Sequence, residues 1–173
     1  MKLAAIALLT ATLLAPSTTF SQTRSRSSRP KPAAAPPAQR VSEVRTTGAT
    51  RVADQIKFLT KFIYLLGGVT SGIAAADEAA RRNEASPAVL QQTQQSKAQV
   101  KSSIQGFRES LDKLEIDFRA TPELQPFYIK LAGVAAGAAT AEEKAAANQF
   151  DAAGRTLLGV INRLTDVLVV MRQ

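Results

Sequence analysis

A stretch of this chain occurs twice. FIYLLGGVTSGIAAADEAARRN at 62–83 returns as FYIKLAGVAAGAATAEEKAAAN at 127–148, and ten of the 22 aligned pairs are identical without a gap. Three of the ten are Ala pairs; the others include Phe62/Phe127, Leu66/Leu131, Gly68/Gly133, Gly72/Gly137, Glu78/Glu143 and Asn83/Asn148. The constant offset, set by Phe62 and Phe127, is long enough for two helices and a turn, so the chain reads as a duplicated helical hairpin.

Hydrophobic spacing agrees. Ile56, Leu59, Ile63, Leu66 and Ile73 mark a first helix over 50–83. Ser86 as N-cap and Pro87 at the first helical position open a second over 87–119, striped by Val100, Ile104, Phe107, Leu111, Leu114 and Phe118. Thr121-Pro122 ends it and opens a third over 122–148, with Pro126 early enough to sit in or just before the first full turn. Asp151 is the expected cap of a fourth, 151–172, striped by Gly154, Leu157, Ile161, Leu164, Leu168 and Met171. Steps of three and four suit a left-handed bundle seam, and no segment alternates with a period of two. The connections are too short for crossovers. The expected fold class is therefore all-α, an antiparallel up-down-up-down four-helix bundle over 50–173.

The first residues have a different character. Lys2, the apolar run Leu3 to Leu14 and the small-x-small site Thr19-Phe20-Ser21 read as a signal peptide over 1–21, its core short of the roughly 20 residues of a membrane span. The expectation is export, to the periplasm or beyond the cell. The chain has no Cys, which excludes lipoprotein processing and leaves the fold to its apolar core. Residues 22–49, rich in Ser, Arg, Pro and Ala, carry too few large apolar side chains to offset the entropy of ordering and read as a disordered tail. Six basic residues against Glu43 alone give that tail a net charge of +5, whereas 15 Lys and Arg against 13 Asp and Glu leave 50–173 at +2. The overall charge of +8 is thus mostly a property of the tail.

Composition narrows the chemistry. Without His or Cys the chain lacks the common metal ligands, the usual neutral-pH proton carrier and a thiol nucleophile. No catalytic residue, cofactor or metal ligand is expected. Asp77, Glu78, Glu142 and Glu143 are the one carboxylate group of note, and a carboxylate-only metal-binding bundle is an alternative. The simpler reading makes them solvated acids beside Arg81, Arg82 and Lys144.

Gly68 and Gly72, with Gly133 and Gly137, place small residues four apart on one helix face. That spacing predicts close packing of the first and third helices, or filling by large residues of the second and fourth. A membrane-associated Gly-rich hairpin is the alternative. The run Gln91-Gln92-Thr93-Gln94-Gln95-Ser96 predicts a water-facing start to the second helix, or a local core of Ala and Thr.

Two candidate contact regions follow. If the repeats superpose throughout, Gln173 corresponds to Arg108, and the fourth helix stops about eleven residues, or ~16 Å, before the second. Val52, Ile56, Leu111, Leu114, Phe118 and Leu124 would then form a partly uncovered apolar end for an unknown protein partner or for self-association. In the tail, Arg24, Arg26, Arg29 and Lys31 are candidates for weak contact with an anionic envelope surface. Nucleic acid is disfavoured, because the tail has no aromatic side chain on which a base could stack.

The turn AAANQFDAAGRTLL at 145–158 resembles the pattern between tetratricopeptide helices. It covers one turn at the wrong period and is read as local helix-hairpin chemistry. The expected role is that of an exported, non-enzymatic interaction or structural module.

Overall fold

Pro36 and Pro37 open the first helix. Pro36 is extended (ψ 145°), and Pro37 occupies the first helical position, where its missing N–H costs nothing. In the computed structural model, which describes residues 36–173, this opens α1, Pro37–Arg81. The signal segment and the tail residues Arg24, Arg26, Arg29 and Lys31 lie outside the described residues. Helix α2 spans Pro87–Ala120, α3 Gln125–Leu131, α4 Val134–Ala146 and α5 Phe150–Met171. No strand occurs among the described residues. The architecture is an all-helical bundle of four rods, the third made of α3 and α4.

The rods form a ring of neighbours: α1 packs on α2 and α5, and α4 packs on the same two. Specific contacts set the register. Arg51 pairs with Asp117, Phe62 meets Phe107 edge-on at 5.1 Å, and Asp77 accepts from Lys97 at 2.7 Å. Between α2 and α4, Arg108 pairs with Glu142 at 2.6 Å and Lys101 donates to the Ala146 carbonyl at 3.3 Å. Lys144 donates to the Thr156 hydroxyl across α4 and α5 at 2.6 Å. Arg45 of α1 donates to the Met171 carbonyl of α5 at 3.0 Å. Where two pairs join the same helices, numbers rise along one helix as they fall along the other.

The core follows the helical stripes. Val52, Leu59, Leu66 and Ile73 of α1 point inward at seven-residue steps, and Val100, Ile104, Leu111, Leu114 and Phe118 of α2 meet them. Each such side chain, withdrawn from water, contributes roughly 1.5–3 kcal/mol. In α5 the expected stripe is rotated: Val160 and Val167 are buried, while Ile161 and Leu168 are only partly so. The helix touches both α1 and α4, and the inward face lies between those contacts.

Several boundaries differ from expectation. The first helix starts at Pro37, well before residue 50, so 37–49 is helix and not tail. Its low apolar content hides the fact that Gly48 continues the buried stripe. A Cβ built there meets Leu124 Cδ2 at 2.8 Å and Met171 Cε at 3.1 Å, so the helix approaches its neighbours by lacking one. The early turns of α1 also place Arg45 over the Phe127 ring, 5.0 Å from its centre. Helix α5 is capped by Gln149 without a side-chain bond; Asp151 stands in its first turn and does not cap it.

The third rod is broken rather than continuous. Ala132 is extended (ψ 129°) and Gly133 has φ 92°, a conformation that L side chains rarely adopt. The break leaves amide groups to be satisfied. Glu115 of α2 accepts from the N–H groups of Gly133 (3.0 Å) and Ala135 (2.8 Å), and Arg163 of α5 reaches the Ala132 carbonyl at 3.4 Å.

Both similar stretches end alike. Asn83 has φ 58° and Asn148 φ 59°. Glu84 N–H donates to the Ala79 carbonyl and Asn83 N–H to Ala80; at the matching positions of the second stretch, Gln149 donates to Lys144 and Asn148 to Ala145. This is a left-handed helix stop in which Asn takes the place more often held by Gly.

Candidate interaction surface on α1 and α2

The expected apolar end of the bundle is closed. Val52, Leu111, Leu114, Phe118 and Leu124 are buried, and Ile56 is partly buried against them. The expectation failed because the first rod begins earlier than the repeat implied. Gly48, in the early turns of α1, stands against Leu124 and against Met171 at the end of α5, and so helps to close that end. The constant offset also does not describe the second helices: Val100 and Ile104 are buried, while their counterparts Thr165 and Val169 are exposed.

The uncovered apolar surface lies elsewhere, on α1. Between Lys61 and Asp77 this helix carries no charge. A stretch of 18 residues in it reaches a mean hydropathy of 1.4, the level of a membrane-crossing helix, yet only 17% of its residues are fully buried. The cause is geometric. Leu59, Leu66 and Ile73 take the inward face, and at about 100° per residue Phe58, Leu65 and Val69 fall outside it. Exposure reaches 60% at Phe58, 83% at Tyr64, 55% at Leu65 and 38% at Val69.

Beside these residues runs a groove between α1 and α2. Two adjoining hollows of about 230 and 330 Å³ share Val69 and Ser96. Leu65, Val69 and Gly72 form one wall, and Gln92, Ser96 and Gln99 the other. Gly72 and Ala76 of α1 and Ser96 of α2 are too short to fill the seam, and Gln92 and Gln99 are exposed to water. Within the Gln-rich run, Thr93 alone is buried, its hydroxyl donating to the Val89 carbonyl at 2.8 Å. Both expectations for this run are met in part: Thr93 joins the interior, and the glutamines face water.

The glycines divide. A Cβ on Gly137 would stand 2.8 Å from Val160 Cγ2, so α5 fills that face. Gly68 and Gly72 have nothing within 4 Å. Of the two predicted arrangements, filling by the fourth helix occurs at Gly137, where α5 brings Val160, while Gly68 and Gly72 meet open space.

Among the described residues, the acids singled out from the sequence form no site. Asp77 is held by Lys97, Glu78 by Arg81 and Arg82, and Glu142 by Arg108, while Glu143 is exposed. Among the described residues, no group of three or more acids is placed to hold a metal ion, and no buried side-chain polar atom lacks a partner. A hollow of about 530 Å³ lies between the start of α1 and the end of α5. Arg45 is bound to Met171, Lys57 to Asp54 at 3.0 Å, and the Thr46 and Thr50 hydroxyls to carbonyls one turn back, while Ser42, Arg172 and Gln173 complete the polar lining.

Sequence reasoning overlooked Phe58, Tyr64, Leu65 and Val69. Their signal was present as an apolar stretch too wide for one inward stripe. No protein-family model, curated protein or solved structure matches this chain.

Proposed function

We propose that this chain is an exported, non-enzymatic interaction module, periplasmic or secreted, whose working surface is the exposed face of α1 with the adjoining α1–α2 groove. The observation that carries the reading is the 17% burial of an 18-residue apolar stretch. A helix that served only the core would have most of such a stretch covered. The export half rests on Lys2, the Leu3–Leu14 run and the Thr19-Phe20-Ser21 site. We take the domain as an up-down-up-down bundle grown from a duplicated hairpin, a reading supported by the antiparallel contact pairs and the matched stops at Asn83 and Asn148.

Two measurements test this. Cell fractionation with N-terminal sequencing should find the chain outside the cytoplasm and beginning at Gln22. A photo-reactive amino acid at Leu65, introduced in living cells, should yield a discrete adduct of protein or lipid, while the same group at Ile129, 82% exposed on α3, should yield none. Equal labelling from both sites would remove α1 as the working surface.

A further inference from the structure

Resting on that reading, we propose that the occupant of the α1 face is an anionic lipid surface, on which the closed bundle lies with α1 flat against the headgroups. The side chains from Phe58 to Val69 suit this contact. Phe58, Tyr64, Leu65 and Val69 offer apolar bodies, and Lys61 stands among them, exposed. No Asp or Glu occurs from Gln55 to Ala76. On the α5 flank, Arg155 and Leu158 border the same hollow as Gly67 and extend the pattern; Asp151, also on that border, is the acid nearest to it. Lys57 adds a cation at the N-terminal edge, shared with Asp54. Interleaved cations and apolar groups on one face of a helix are what an interfacial helix presents to acidic headgroups.

Charge and shape favour a bilayer over a folded partner. Phe58, Tyr64, Leu65 and Val69 expose roughly 400 Å² of side chain, and the cations Lys61 and Arg155 are exposed beside them. A bilayer requires no matching surface. Length decides the depth: from Phe58 to Gly72 the helix runs ~21 Å, short of the ~30 Å hydrocarbon core, and Leu59, Leu66 and Ile73 stay inside the bundle. The helix therefore rests on the membrane and does not open to enter it.

The test is co-sedimentation of the mature chain, from Gln22 to Gln173, with vesicles of phosphatidylcholine alone or mixed with phosphatidylglycerol, with helicity checked by circular dichroism. Binding is expected to the mixed vesicles, weakened at least tenfold by Leu65→Asp with Val69→Asp and unchanged by Ile129→Asp. Lys61→Glu should remove most of the preference for phosphatidylglycerol. Replacing Arg24, Arg26, Arg29 and Lys31 with Ser should leave the dependence on Leu65 intact. Three results overturn the proposal: no binding to either vesicle, binding indifferent to Leu65→Asp/Val69→Asp, or a doubling of solution mass with concentration that Leu65→Asp abolishes, which would identify a second copy as the occupant. A protein adduct from the Leu65 cross-linker together with failed vesicle binding would remove the lipid and keep the surface. Failure of both would remove both.

Discussion

Residues 62–83 and 127–148 share ten of 22 positions, and their surroundings treat the shared residues differently. The first stretch belongs to the uninterrupted second half of α1; the second is split into α3 and α4 at Gly133. Gly68 is an ordinary helical residue facing open space, whereas its counterpart Gly133 turns the chain at φ 92° under Arg163. Gly72 is open, and its counterpart Gly137 receives Val160. Asn83 and Asn148, by contrast, do the same work in both places. Residues whose role is local keep it, while residues whose role is to leave room depend on what arrives to use the room.

That contrast yields expectations of decreasing size. Leu66→Ala and Leu131→Ala remove buried side chains at matched positions, and each should cost about 2–5 kcal/mol in urea unfolding. A mild effect at only one would show that the cores are not equivalent there. Gly133→Ala forces an L side chain into φ 92° against Arg163 and should cost about 1–3 kcal/mol. Glu115→Ala should cost a similar amount, about 1–3 kcal/mol, by orphaning two N–H groups at the break.

Gly137→Ala should cost about 1–3 kcal/mol through overlap with Val160. The penalty should shrink in a Val160→Ala background, and persistence there would move its cause to the backbone. Asn83→Ala and Asn148→Ala should each cost about 1–2 kcal/mol, with the Gly variants close to the parent. The smallest effect has the opposite sign. Gly68→Ala and Gly72→Ala place a methyl group in open space and should stabilise the chain by up to ~1 kcal/mol each. A loss of thermal stability in either would show that the open face is filled in solution.

Much of the fold is legible in the sequence. Ser86 and Pro87 mark the start of α2, and Ser86 Oγ accepts from Val89 N–H at 3.4 Å. The α2 stripe is equally plain, with Phe107 half outside and edge-on to Phe62. The early start of α1 is not legible, since its contacts come from Leu124 and Met171, which belong to other rods far along the chain. The bare apolar face of α1 is partly legible: the uncharged run from 62 to 76 stands in the sequence, but its outward side cannot be told there from its inward one.

Helix content, the four rods and the stop after each similar stretch follow from spacing, caps and connection lengths, because those energies involve residues within a turn or two of each other. The closing of one end of the bundle by the early turns of α1, the break at Gly133 and the bare face around Leu65 came only from assembly. Whether a glycine is a hinge, a socket or an empty place depends on the side chain that a distant helix brings to it, and no local pattern carries that information.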